Sequence, residues 1–162
     1  MKLLITPAEV MKIAFGTTHT LHDEAIPAHT ILAAQRRLIR PIVGAELYDQ
    51  LALSDEAWPE HIASFVGDYL KTPLALYVAS LLLPTIAAQV GSMGVVRLSG
   101  SGMEPVEKQT LRRVCRRLRA DANALMDVAT DYLAEHRDLF PLYNPNDDVR
   151  QRVNMAGSLL IV

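Results

Sequence analysis

The chain has one cysteine in 162 residues, Cys115, and so no partner for an internal disulfide. That scarcity fits a reducing compartment. Charge of one sign is not in excess either. Sixteen Lys and Arg stand against eighteen Asp and Glu, a formal net charge of -2, so nothing global points to nucleic acid or to a membrane surface. No HExxH and no cysteine pair is present, which removes the common zinc signatures. Gly100-Ser101-Gly102 is not followed by GK[ST], so it is not a phosphate loop. The opening apolar stretch, Met1 to Pro7, is too short for a signal peptide. Nothing marks a Ser-His-Asp set or a pair of catalytic carboxylates, and no internal repeat is visible.

What is present is helical patterning in a chain that is 50% apolar, long enough to bury a core as one domain. Thr6-Pro7-Ala8-Glu9 has the form of a capping box with proline at the first helical position, and Gly16 can end that helix. Thr17 to Pro27 is polar and reads as a loop. Ile31, Leu32, Gln35, Leu38 and Ile39 then recur at helical spacing, with Arg36, Arg37 and Arg40 on the wet sides. Pro41 and Gly44 predict a fixed corner before a second helix begins at Ala45. Ser54-Asp55-Glu56 suggests another helix start, with Trp58, Ile62, Phe65, Val66, Tyr69 and Leu70 on one face as far as Lys71. Thr72 to Val96 holds no charged residue. That length can span a bilayer, but its prolines, glycines and polar residues favour a buried central helix from Pro73, kinked at Pro84. Gly91 to Gly102 reads as a loop or short hairpin. The longest helix is expected from about Pro105 to Arg137, with Leu111, Val114, Cys115, Leu118, Ala122, Leu125, Ala129, Tyr132 and Leu133 as its apolar positions.

Within that helix, five arginines fall in eight residues. Arg112, Arg116 and Arg119 align on one flank and Arg113 and Arg117 on the other, with Val114, Cys115 and Leu118 as the seam between them. Such flanks suit a solvated face, an interface between subunits, or contact with DNA phosphates. Arg113 and Arg116 beside Cys115 are a setting that lowers a thiol pKa, although a small residue on the apolar face more commonly belongs to the core. His19, His22, Asp23, Glu24 and His29 collect metal-capable side chains, in a segment that reads as a solvated loop rather than a metal site. No cofactor is expected.

"ILAAQRRLIRPIVGAELYDQL" (residues 31–51), the uncharged helix, and a last helix closing on "YLAEHRDLFPLY" (residues 132–143) resemble the small head–tail connector, or adaptor, proteins of tailed phages and prophages. The likeness runs over most of residues 25–143, on the pattern I-x-x-A-Q followed by P-x-x-G-x-x-L-Y. It implies a mainly α, compact helical bundle with no catalytic residues, assembled as a homo-oligomeric ring beneath the portal. The implied partners are further copies of itself and the portal and tail-side proteins, with non-specific DNA contact open and no membrane role. The implied location is the virion or the bacterial cytoplasm. In that reading Pro41 and Gly44 set the wedge shape of a subunit, because heterologous contacts close a ring only when the rotation per subunit is right. The expected organisation is a helical domain over 1–143 and an extended arm over 144–162. The apolar end of the arm, Leu159, Leu160, Ile161 and Val162, would dock on a neighbour or fold back onto Leu3-Leu4-Ile5. The rival classes are a helical nucleic-acid-binding protein using Arg112 to Arg119, and a small helical enzyme or metal protein using the His19 to His29 region.

Overall fold

Five helices and one hairpin make up the computed structural model, which describes residues 2–16, 26–53, 57–89, 96–99, 102–105, 108–145 and 148. The fold is mainly α. Helix α1 covers 7–15. Its start is the expected capping box: the Glu9 amide donates to Thr6 Oγ1 at 3.3 Å, and the Thr6 amide donates to Glu9 Oε2 at 2.9 Å. Gly16 ends it at φ 76°, a left-handed angle that glycine adopts without steric cost.

Helix α2 covers 28–43 and corrects the expected corner. Pro41 does not break it. Gln35–Ile39 forms one wide π-type turn, in which the Arg40 amide reaches back five residues to the Gln35 carbonyl, and Arg40–Val43 then resumes as α-helix. A proline inside a regular helix deprives the carbonyl four residues back of its donor and collides with it. The wide turn immediately before Pro41 loosens that spacing. The change of direction falls on Gly44 alone, at φ 89° and ψ 163°. Its amide still donates to the Arg40 carbonyl, and its own carbonyl accepts from the Tyr48 amide, both at 3.2 Å. Helix α3, Ala45–Leu53, therefore starts with no intervening loop.

The break expected between Lys71 and Pro73 is also absent. One helix, α4, covers 60–89 in three parts: Glu60–Phe65, another wide turn at Val66–Leu70, and Lys71–Gln89. The Lys71 amide bonds back to the Val66 carbonyl, two residues ahead of Pro73, and the helix continues through Pro84. The described helix begins after Pro59, while Ser54, Asp55 and Glu56 lie outside the described residues. Trp58 precedes the helix. Its indole N–H donates to the Leu51 carbonyl at 3.2 Å, and the Lys2 ammonium stands 3.9 Å from its ring centroid.

Helix α4 is the axis of the core. Phe65, Val66, Leu70, Leu74, Ala75, Val78 and Leu82 are buried against Ile31, Ile39, Leu47, Leu51, Met126 and Leu133 from the surrounding helices. By length and hydropathy it is the one helix among the described residues that passes as a membrane span, over Glu60–Ile86; a buried core helix passes the same test. Val96–Ser99 (β1) and Gly102–Pro105 (β2) pair antiparallel, with Val96 opposite Pro105 and Ser99 opposite Gly102. This is the hairpin alternative for the glycine-rich stretch. The described part of helix α5 is Lys108–Glu135; Pro105, the expected start of the helix, belongs to the hairpin, and residues 106–107 lie outside the described residues.

Gln35 locks the N-terminal segment to this body. It is fully buried; its Oε1 accepts from the Leu4 amide at 2.9 Å and its Nε2 donates to the Lys2 carbonyl at 3.3 Å. The Lys2 amide donates to the Ala52 carbonyl at 2.7 Å, and Leu4 and Ile5 are buried in the core. The Gln of the I-x-x-A-Q pattern is thus a clamp rather than a face residue. Residues 136–145 return across the end of α5 and bury Phe140 and Tyr143. Phe140 stacks obliquely on Phe65 at 5.1 Å, and Tyr69, Tyr132 and His136 continue the stack at 4.4 Å and 4.1 Å. Asp148, which falls on the arm side of the expected boundary at 143, is also buried. Leu159, Leu160, Ile161 and Val162 lie outside the described residues, as do His19, His22, Asp23 and Glu24.

Candidate functional site

Helix α5 carries two apolar stripes side by side, and the sequence pattern alone merges them. The stripe turned to α4 is Cys115, Ala122, Met126, Ala129 and Leu133, all buried, with Thr130 at its edge. Three of these five are small, which lets the two backbones approach closely. The second stripe faces outward: Val114 is 44%, Leu125 36% and Val128 53% exposed, with Leu111 and Leu118 half-buried beside them. The expected seam of Val114, Cys115 and Leu118 is therefore split: Cys115 packs inside and Val114 lies on the surface. Leu139 and Leu142, beyond the helix, are exposed as well.

The arginines sort as the helical spacing requires. Arg112, Arg116 and Arg119 line a cleft of about 430 Å³ with Lys108, Leu111, Cys115 and Pro84 of α4. Lys108, four residues ahead of Arg112, extends the row by one turn, a spacing present in the sequence itself. Arg119 is tethered: its Nε–H donates to Ser80 Oγ at 3.2 Å, and that hydroxyl donates to the Tyr77 carbonyl at 2.7 Å. Ser80, a polar residue in the uncharged part of α4 from Thr72 onward, is what fixes the end of the row. Among the described residues, no carboxylate pairs with Lys108, Arg112, Arg113, Arg116 or Arg119. On the other flank Arg117 reaches Asp121 at 3.8 Å, with its side chain 85% exposed, a pair that contributes little in water.

A further cavity of about 350 Å³ joins two features that the sequence treats apart. Pro41, Arg37, Leu38, Ile42 and Tyr77 line it together with Arg119 and Asn123. The proline of the α2–α3 pattern thus borders the arginine row, while Gly44, three residues on, makes the corner.

Cys115 is buried. Burial pushes its thiol pKa up, and the opposing charge of Arg119 does not cancel that effect. The structure corrects the activated-thiol possibility, and the charge nearest in effect is Arg119 rather than Arg113 or Arg116. Among the described residues no group of three His, Cys, Asp or Glu side chains is placed to hold a metal ion, and His29 is exposed on α2.

The arrangement that results is one helix presenting an exposed apolar strip and, across its buried stripe, a row of cations along a cleft with an apolar floor. Such a surface suits docking of a partner with acidic and apolar side chains, with the charges steering approach and the apolar strip supplying contact. No curated protein and no solved structure matches the chain. Residues 39–153, from the last turn of α2 past the return segment, match the family of unknown function DUF6712. That match covers well over half of the sequence, and the chain belongs to this family.

Proposed function

We propose that the protein is a structural subunit of a tailed-phage or prophage head–tail connector, forming a ring with copies of itself between portal and tail. The observation that carries the reading is the outward face of α5, where Val114, Leu125 and Val128 lie exposed on a helix whose Lys108, Arg112, Arg113 and Arg116 form no ion pair among the described residues. Exposed apolar stripes mark protein contacts. The sequence resemblance over residues 25–143 supplies the class of assembly. A ring interface is heterologous, so the α5 face meets a different face of the next subunit. The rigid join of α2 to α3 at Gly44 holds that second face at a fixed angle. The apolar end at Leu159 to Val162 is proposed to dock on a neighbour.

The test is removal of the gene from the phage or inducible prophage that encodes it. DNA-filled heads without tails, rescued by the wild-type gene, are the expected product. Normal yields of infectious particles would overturn the proposal. One observation favours a second role for the same row: Lys108, Arg112, Arg116 and Arg119 share one cleft, the geometry of a phosphate track. Retention on heparin that falls steeply with salt would assign the row to DNA.

A further inference from the structure

The outward strip of α5 has the spacing of a coiled-coil seam. Leu111, Val114, Leu118, Asp121, Leu125 and Val128 follow one another at alternating steps of three and four residues. That alternation keeps one line of side chains facing a partner helix along its whole length. Five of the six are apolar, and Val114, Leu125 and Val128 are exposed. The contact with α4 uses a different line, through Cys115, Ala122, Met126 and Ala129, so the seam is left over from the chain's own packing.

Charge along the helix says what covers it. Residues 108–120 hold Lys108 and five arginines and no acid, whereas residues 121–135 hold Asp121, Asp127, Asp131 and Glu135 and no base. The helix is basic over its first half and acidic over its second. Its complement is a helix with the same apolar spacing and the opposite order of charge. A second copy of α5 turned end for end has both properties.

We propose that two copies of this chain pair through α5 as a short antiparallel coiled coil, about a two-fold axis between Arg119 and Ala120. The spacing fixes the register. Leu111 lies opposite Val128 of the second copy, Val114 opposite Leu125, and Leu118 opposite Asp121. Arg117, which sits 3.8 Å from Asp121 of its own chain, then also adjoins Asp121 of the other, so the one charge in the seam meets cations. A parallel pair would set Asp121 against Asp121 and the arginine-rich halves against each other, and a polar seam residue of this kind selects orientation. The contact is isologous and closes at two. It goes beyond the ring reading and does not require it; within that reading the pair is the form held before assembly, and it opens when a subunit joins the ring through the same face.

The experiment is sedimentation equilibrium of the full chain over a range of concentrations. A reversible monomer–dimer equilibrium is expected. It should weaken several-fold between about 0.1 and 1 M salt, where the screening length falls from about 10 to 3 Å. Val114→Asp with Leu125→Asp, both at surface positions, should weaken the dimer about tenfold or more with helical content unchanged. Orientation is read by disulfide capture in a Cys115→Ala background, mixing chains that carry Val114→Cys with chains that carry Leu125→Cys. Antiparallel pairing gives chiefly the mixed 114–125 product. Capture of 114–114 and 125–125 in its place would overturn the proposal. So would a chain that stays monomeric, whether its strip is bare or covered by residues 149–162, and so would a dimer indifferent to Val114→Asp with Leu125→Asp. A monomer in solution overturns the pairing and leaves the ring reading standing, whereas normal particle yields after gene removal overturn the ring reading and leave the pair.

Discussion

Replacing Gln35 with methionine keeps the length of a buried side chain and removes both of its hydrogen bonds. The effect can be worked from its two partners. The Leu4 amide, in a residue 2% exposed, loses the acceptor at 2.9 Å and has no route to water. The Lys2 carbonyl, in a half-buried residue, loses a longer contact at 3.3 Å that solvent can replace. An unsatisfied buried amide costs about 1–3 kcal/mol, so a destabilisation of about 2 kcal/mol is expected. For a chain of this size each kcal/mol moves the midpoint by roughly 2–4 °C, giving a fall of about 4–8 °C. Thermal unfolding followed by circular dichroism measures the midpoint. Native-state hydrogen exchange adds a local readout, because the Leu4 amide should lose protection far beyond the global loss. A variant that melts within 1 °C of the parent, with Leu4 still protected, would refute the clamp.

The corner separates two residues that the sequence treats as one device. Gly44→Ala should cost about 1 kcal/mol or more because of the positive φ, whereas Pro41→Ala should leave the midpoint within about 2 °C, both by thermal melts; equal effects would return the corner to Pro41. Arg112, Arg116 and Arg119 changed together to glutamine should weaken self-association or portal binding in sedimentation experiments while helical content by circular dichroism stays the same. Glu9 gives a pH signature. Partial burial raises its carboxyl pKa, but the ion pair with Lys71 and the bonds from Thr6 outweigh that and hold it below the ordinary value. A carboxylate with a lowered folded pKa stabilises the protein above the unfolded pKa, and this is lost as pH falls through the folded value. The urea-midpoint gap between parent and Lys71→Met should therefore be present at neutral pH and close at acid pH.

The parts of the fold written in local residue chemistry were legible before any coordinates. Thr6 to Glu9 encodes its cap through side chains three residues apart, and Gly16 and Gly44 mark backbone angles that other residues resist. Wide helical turns are not written locally. Prolines at 41 and 73 read as breaks because one proline does end a regular helix. Only packing against the core on both sides makes a continuous helix with a loosened turn the better solution. The candidate surface was legible by half. Spacing placed the arginines in two rows, since that follows from helical geometry. Which apolar stripe of α5 is buried depends on what lies opposite, and α4 takes the small residues Cys115, Ala122 and Ala129 in preference to the larger Val114 and Leu125. Ser80 carries no signal of its own. Its importance lies in what its hydroxyl meets, Arg119, across 39 residues.

The wide turn at Val66–Leu70 amounts to one spare residue stored in the longest core element. In an ordinary helix each residue turns the next by about 100°, so losing one would swing everything beyond it off the core. A π-type turn already holds one residue more than the turn it replaces. Shortening the chain by one position between Phe65 and Lys71 would convert it to a regular turn, leaving Ile62 and Phe65 on one side of the excision and Leu74 and Val78 on the other still aimed inward. Relatives one residue shorter at this point could thus share the same packed interior, and an alignment gap inside a buried helix, normally a sign of a misjudged match, would here be the expected trace of common structure.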